Sequence, residues 1–114
     1  MNIIIDRPQL VRVVLLYLNK NFGSLIPKTR PKYPDSVFYV NSDNEILMKY
    51  DKKNKYVWLH YDQIWSKINS LFPLKYFEIQ SIIEHWLEET YKLSGVTPEL
   101  TVAGSASSWK RLKN

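Results

Sequence analysis

The chain has 114 residues, 45 % apolar and 14 % aromatic, with 16 Lys+Arg against 11 Asp+Glu and a net charge of +5 at pH 7. That is one domain's length with enough apolar content for a modest core, which excludes a disordered chain. The lack of Cys excludes disulfides, thiolate metal sites and cysteine nucleophiles, and two His are too few for a multi-His metal centre.

Ile3, Ile4 and Ile5 are three β-branched residues in a row and predict a short strand. Asp6 is placed as an N-cap, with Pro8 in the first turn where its missing N–H costs nothing. A helix follows over 7–22. Its apolar residues are Leu10, Val11, Val13, Val14, Leu15, Leu16, Tyr17, Leu18 and Phe22, too many for one narrow stripe. This predicts a helix buried on most sides or used as a subunit contact. Gly23 ends it.

Pro27, Pro31 and Pro34 fall within eight residues, so 24–35 is expected to be a loop without regular structure. Three segments rich in β-branched and aromatic residues come next: 37–40, 46–50 and 55–61. Asn41-Ser-Asp-Asn44 and Asp51-Lys-Lys-Asn54 separate them, which predicts a three-stranded antiparallel meander. The N-terminal strand is a candidate fourth member.

Asp62 opens a second helix, 62–72, with Ile64, Trp65, Ile68, Leu71 and Phe72 inward, and Pro73 ends it. A third helix over 75–93 has the cleanest period: Ile79, Ile82, Ile83, Trp86, Leu87, Thr90 and Tyr91 on one face. Gln80, Glu84, His85, Glu88, Glu89 and Lys92 take the other. Gly95 and Pro98 stop it. Residues 96–114 are small and polar and end on Trp109-Lys-Arg-Leu-Lys-Asn114, which predicts a flexible tail with a basic, aromatic tip. The expected fold is therefore α+β in the order β-α-β-β-β-α-α. A three- to four-stranded antiparallel sheet is packed by three helices, with a single domain over 1–95 and a tail over 96–114.

Charge is segregated. Eight basic and four acidic residues lie between Lys20 and Lys55; one basic and five acidic lie between Tyr76 and Glu99. The basic part interleaves cations with rings in Lys28, Arg30, Lys32 and Tyr33, and again in Lys49, Tyr50, Lys52, Lys53, Lys55 and Tyr56. Nucleic-acid binders need cations for phosphates and flat rings for bases, so these ten residues form a candidate interface. Asp51-Lys-Lys-Asn54 is equally ordinary hairpin-turn chemistry, and lysines at sheet edges discourage aggregation. Trp109, Lys110, Arg111 and Leu112 form a second candidate, a peptide that orders on a protein partner. Trp58, Trp65 and Trp86, which sit in regular elements, are assigned to the core.

The helices over 62–93 have helix-turn-helix spacing, but glutamates on the outer face of the second suit it poorly to DNA. His60 and His85 lack metal-ligand spacing, and Glu84 with Glu88 lacks a pocket to tune a carboxylate. There is no glycine-rich phosphate loop and no Gly-x-Ser-x-Gly elbow. An enzyme is not expected, nor a cofactor or a small-molecule substrate. No apolar run reaches the roughly 20 residues that span a bilayer. The start of the chain lacks the basic and apolar regions of a signal peptide. The expectation is a soluble cytoplasmic protein that is neither secreted nor membrane-bound.

The opening Met1-Asn-Ile-Ile-Ile-Asp-Arg-Pro-Gln-Leu-Val-Arg-Val13 resembles the start of small proteins from marine tailed phages and related environmental viruses. Tyr61-Asp-Gln-Ile-Trp65 and Glu88-Glu-Thr-Tyr-Lys-Leu-Ser-Gly-Val-Thr-Pro98 are similar to that group too. The resemblance implies a viral origin, in host cell or virion, and brings no catalytic residues with it. Two functions follow as expectations. The first is a non-enzymatic interaction protein acting through the 7–22 helix, the sheet and the Trp109 tip, with self-association as one mode. The second is a non-specific nucleic-acid-binding module.

Overall fold

Leu10, Val14, Leu18 and Phe22 recur every fourth residue, and this stripe is what helix α1 (Arg7–Phe22) buries. The computed structural model describes residues 7–100. The Ile3–Ile5 strand, the Asp6 cap and the Trp109–Leu112 tip lie outside the described residues. Val11, Leu15 and Tyr17 are half-buried beside the α1 stripe, while Val13 and Leu16 stay exposed. Burial on most sides is thus corrected to burial of one broad face. Gly23 closes the helix, its N–H donating to Asn19 O at 3.1 Å, and a Cβ there would collide with that same carbonyl.

The segment expected as a proline loop is instead a hairpin of β1 (Ile26–Arg30) and β2 (Tyr33–Val40). Each proline fits for a local reason. Pro27 lies in an edge strand, where half the N–H groups need no ladder partner. Pro31 is in the turn, and Pro34 has no register partner on either side. β3 (Ile46–Asp51) and β4 (Tyr56–Leu59) complete the expected meander, with positive φ at Asn44 and Lys55 in the connecting turns.

Thr97–Leu100 is a strand, β5, where a tail is expected, and it pairs parallel to β4. The sheet therefore has five strands in the order β1-β2-β3-β4-β5 and is mixed. A parallel partner demands a long crossover, and residues 60–96 supply it. That crossover is a π-helical turn (Tyr61–Trp65), α2 (Ser66–Leu71) and α3 (Tyr76–Tyr91). In α2 the expected inward Ile68 is buried, but Leu71 is exposed. The third helix stops at Tyr91 because Lys92 takes the left-handed conformation, φ 59°. Pro98 lies within β5.

One cluster joins Leu10, Val14 and Leu18 of α1 and Ile79, Ile83 and Trp86 of α3 to Tyr39, Met48, Val57 and Leu59 of the sheet. Polar contacts also hold α1 to α3. Trp86 Nε1–H donates to Asn19 Oδ1 at 2.9 Å, and Thr90 Oγ1–H donates to the same oxygen at 3.0 Å. The Tyr91 hydroxyl donates to Phe22 O and accepts from Leu25 N–H at 3.0 Å, while its ring packs edge-on against Tyr39 and Trp86. Tyr91→Phe keeps the packing and strands both backbone groups, so it should cost about 1–3 kcal/mol in urea unfolding.

Burial raises the hydroxyl of Tyr91 above its ordinary 10.0, and Tyr39 shifts the same way for the same reason. The fold thus favours the neutral phenols, and the unfolded chain loses their protons first. Their contribution is complete below pH 10.0 and declines as pH rises through the folded values. Alkaline urea titrations should show stability falling above about pH 10, and less steeply for Tyr91→Phe.

Candidate nucleic-acid interface

Side chains alternate across a sheet, so a residue and its register partners share one face. Tyr39, Met48, Val57 and Leu59 share the face under the helices. The intervening positions define the opposite, outer face. Lys28 pairs with Phe38, Phe38 with Lys49, Lys49 with Trp58, and Trp58 with Glu99. One row thus crosses all five strands as cation, ring, cation, ring, carboxylate. Steps of about 4.8 Å give it a length of roughly 19 Å.

The outer face has its own small aromatic layer. Phe38 is 8 % exposed yet stands apart from the main cluster. Tyr33, 47 % exposed, packs edge-on against it at 6.0 Å between centroids. Tyr56, 39 % exposed, meets half-buried Trp58 in the same way at 6.3 Å. Each pair sets an accessible ring against a better-buried one. Lys32 Nζ lies 5.7 Å from the Tyr33 ring centroid, a cation–π contact.

The two basic segments meet at one end of the sheet. Lys52 N–H donates to Asp35 O at 2.8 Å, bringing the β3–β4 turn beside the start of β2. A groove of about 280 Å³ lies there, lined in part by Lys32, Tyr33, Asp51 and Lys53. Asp51 shapes this turn. Its carboxylate accepts from Lys53 N–H, Asn54 N–H and Asn54 Nδ2–H at 2.9–3.2 Å. The bond from the Asn54 side chain leads in holding its pKa below the ordinary 3.8. The resulting turn stability is present above pH 3.8 and fades as acid protonates the folded carboxylate. Arg30 Nη1–H donates to Thr29 O at 3.3 Å, and its Nη2 is buried without a hydrogen-bond partner among the described residues. A buried donor of that kind is costly unless an acceptor reaches it.

Of the ten residues singled out for nucleic acid, nine suit this surface. Lys28 and Lys49 lie in the outer row, Arg30, Lys32 and Tyr33 at the β1–β2 turn, and Lys52, Lys53, Lys55 and Tyr56 at the β3–β4 turn. Tyr50 does not: it registers with Val37 and Val57 and packs against the main core. Trp58 moves the other way, from expected core to outer face. Its signal was legible, since Val57 and Leu59 alternate with Tyr56 and Trp58. Glu99 had no such signal, because its segment read as a tail.

His60 Nδ1 accepts from Gln63 N–H at 3.2 Å at the start of the π-helical turn, and His85 is exposed on α3. Among the described residues no three His, Cys, Asp or Glu are grouped to hold a metal ion, and no helix is long and apolar enough to cross a membrane. No protein-family model, no curated protein and no solved structure matches the chain.

Proposed function

We propose that this chain is a small viral binding protein without catalytic activity, and that the outer face of its sheet holds nucleic acid. The observation that carries this reading is the row Lys28–Phe38–Lys49–Trp58. It interleaves cations for phosphates with rings on one surface, the accessible rings for bases being Trp58 and the Tyr33 packed on Phe38, with Arg30 beside Lys28 on β1. Anisotropy of labelled oligonucleotides at about 50 and 200 mM salt tests it. With about four phosphates neutralised, the log–log salt slope for a single strand is about −3, so affinity should fall roughly 50-fold over that range. Lack of binding at the lower salt would reject the reading.

A second reading, docking of a protein partner or of a second copy, is favoured by the helical layer. Leu16 is 62 % and Phe77 64 % exposed, and Val13, Leu71 and Tyr76 are exposed as well. Single exposed apolar residues are ordinary, but five large ones in one layer suit an interface. Sedimentation velocity should then show a dimer that Leu16→Asp converts to monomer; a monomeric wild type would leave only a different protein partner.

A further inference from the structure

The outer row has a direction. Its cations belong to β1 and β3, and its carboxylate to β5. Trp58 stands between Lys49 and Glu99, one strand from each. We propose that the polynucleotide bound here is single-stranded, that it crosses the strands from Lys28 to Trp58 with a base stacked on Trp58 or Tyr56, and that Glu99 ends the track. This rests on the nucleic-acid reading above.

A duplex keeps its base faces stacked on one another, so only an unpaired base can stack on an accessible aromatic side chain of the sheet face. Two ring pairs lie on this face, Tyr33 with Phe38 and Tyr56 with Trp58, and the Lys49 strand runs between them. A strand crossing there meets ring and cation in turn, as stacking bases and bridging phosphates require. On β5 the chemistry reverses. Glu99 follows Trp58 in the row, and a carboxylate repels the next phosphate. Its strand is secured by parallel pairing with β4 and by Gln80 Nε2–H donating to Pro98 O at 3.0 Å. The acid is therefore set on the sheet surface rather than on a loop that swings aside.

The test uses the full chain with labelled oligo-dT, oligo-U and a duplex of equal length, at about 50 mM salt. Either single strand should bind at least about 10-fold more tightly than the duplex. Trp58→Ala should weaken single-strand binding about 5- to 150-fold with an unchanged salt slope, and Trp58→Phe should retain most of it. Glu99→Lys should tighten binding and steepen the slope by about 0.7, as one added phosphate contact does. Glu88→Lys makes the same charge change on the exposed helical face and should alter neither. That pair needs no loss of function, so a folding defect cannot imitate the result. Equal or tighter duplex binding overturns the single-strand inference and leaves the nucleic-acid reading standing. Identical effects of Glu99→Lys and Glu88→Lys overturn the assigned end of the track. If no polynucleotide binds, both fall together.

Discussion

Trp86→Ala should destabilise the protein by about 3–5 kcal/mol, the range for deleting a large aromatic from a packed core. Trp86 is fully buried and is the largest such side chain. It lies in the α1–α3 seam, where its N–H donates to Asn19 and its ring meets Tyr91 edge-on at 5.4 Å between centroids. Removing it opens a cavity and takes from the Asn19 oxygen one of its two donors among the described residues, leaving Thr90. Domains of this size are stable by about 5–15 kcal/mol, so the variant should be near the edge of folding. Urea midpoints compared across three variants check the cause. Trp86→Phe retains much of the volume and should cost less than the alanine variant. Asn19→Ala keeps the ring and removes the acceptor shared by the Trp86 N–H and the Thr90 hydroxyl, and should cost about 1–3 kcal/mol. An alanine variant as stable as the wild type would show that the seam is not part of the core.

The second large effect concerns binding. Lys28→Glu with Lys49→Glu should weaken oligonucleotide affinity at least about 100-fold at low salt, because each change removes one attraction and adds one repulsion on the track. Both residues are half-buried in the same row and pair across Phe38. Charge reversal of Lys52 and Lys53, at the exposed turn, should weaken binding less, because exposed charges are better screened. Anisotropy with both double variants ranks the two surfaces. A larger loss at the turn would move the interface from the sheet face to the groove at its end. Unfolding midpoints of all variants, measured alongside, separate lost binding from lost structure.

The legible parts of the fold are those decided by local pattern. The α1 stripe, the α3 stripe and the meander strands follow from periods of about four and two, and their boundaries fall within a few residues of those expected. The proline-rich hairpin was illegible because proline forbids a central strand and tolerates an edge, and only the assembled sheet decides which is which. The exposure of Leu71 has the same kind of cause: period marks one face of a helix, and the neighbours set how much of that face is covered.

The sequence by itself determined that the chain is an α+β protein with a basic middle, an acidic third helix, and no thiol or multi-His chemistry. It also singled out nine residues that suit one candidate surface. The tertiary structure alone decided that the lysines and rings of β1 to β4 line up in one row, that Tyr50 faces the core, and that Glu99 closes the row. Register and strand order set these relations, and both depend on contacts between residues tens of positions apart, such as Trp58 with Glu99. No local window contains such a pair, so the row forms only once the crossover helices have carried β5 back beside β4.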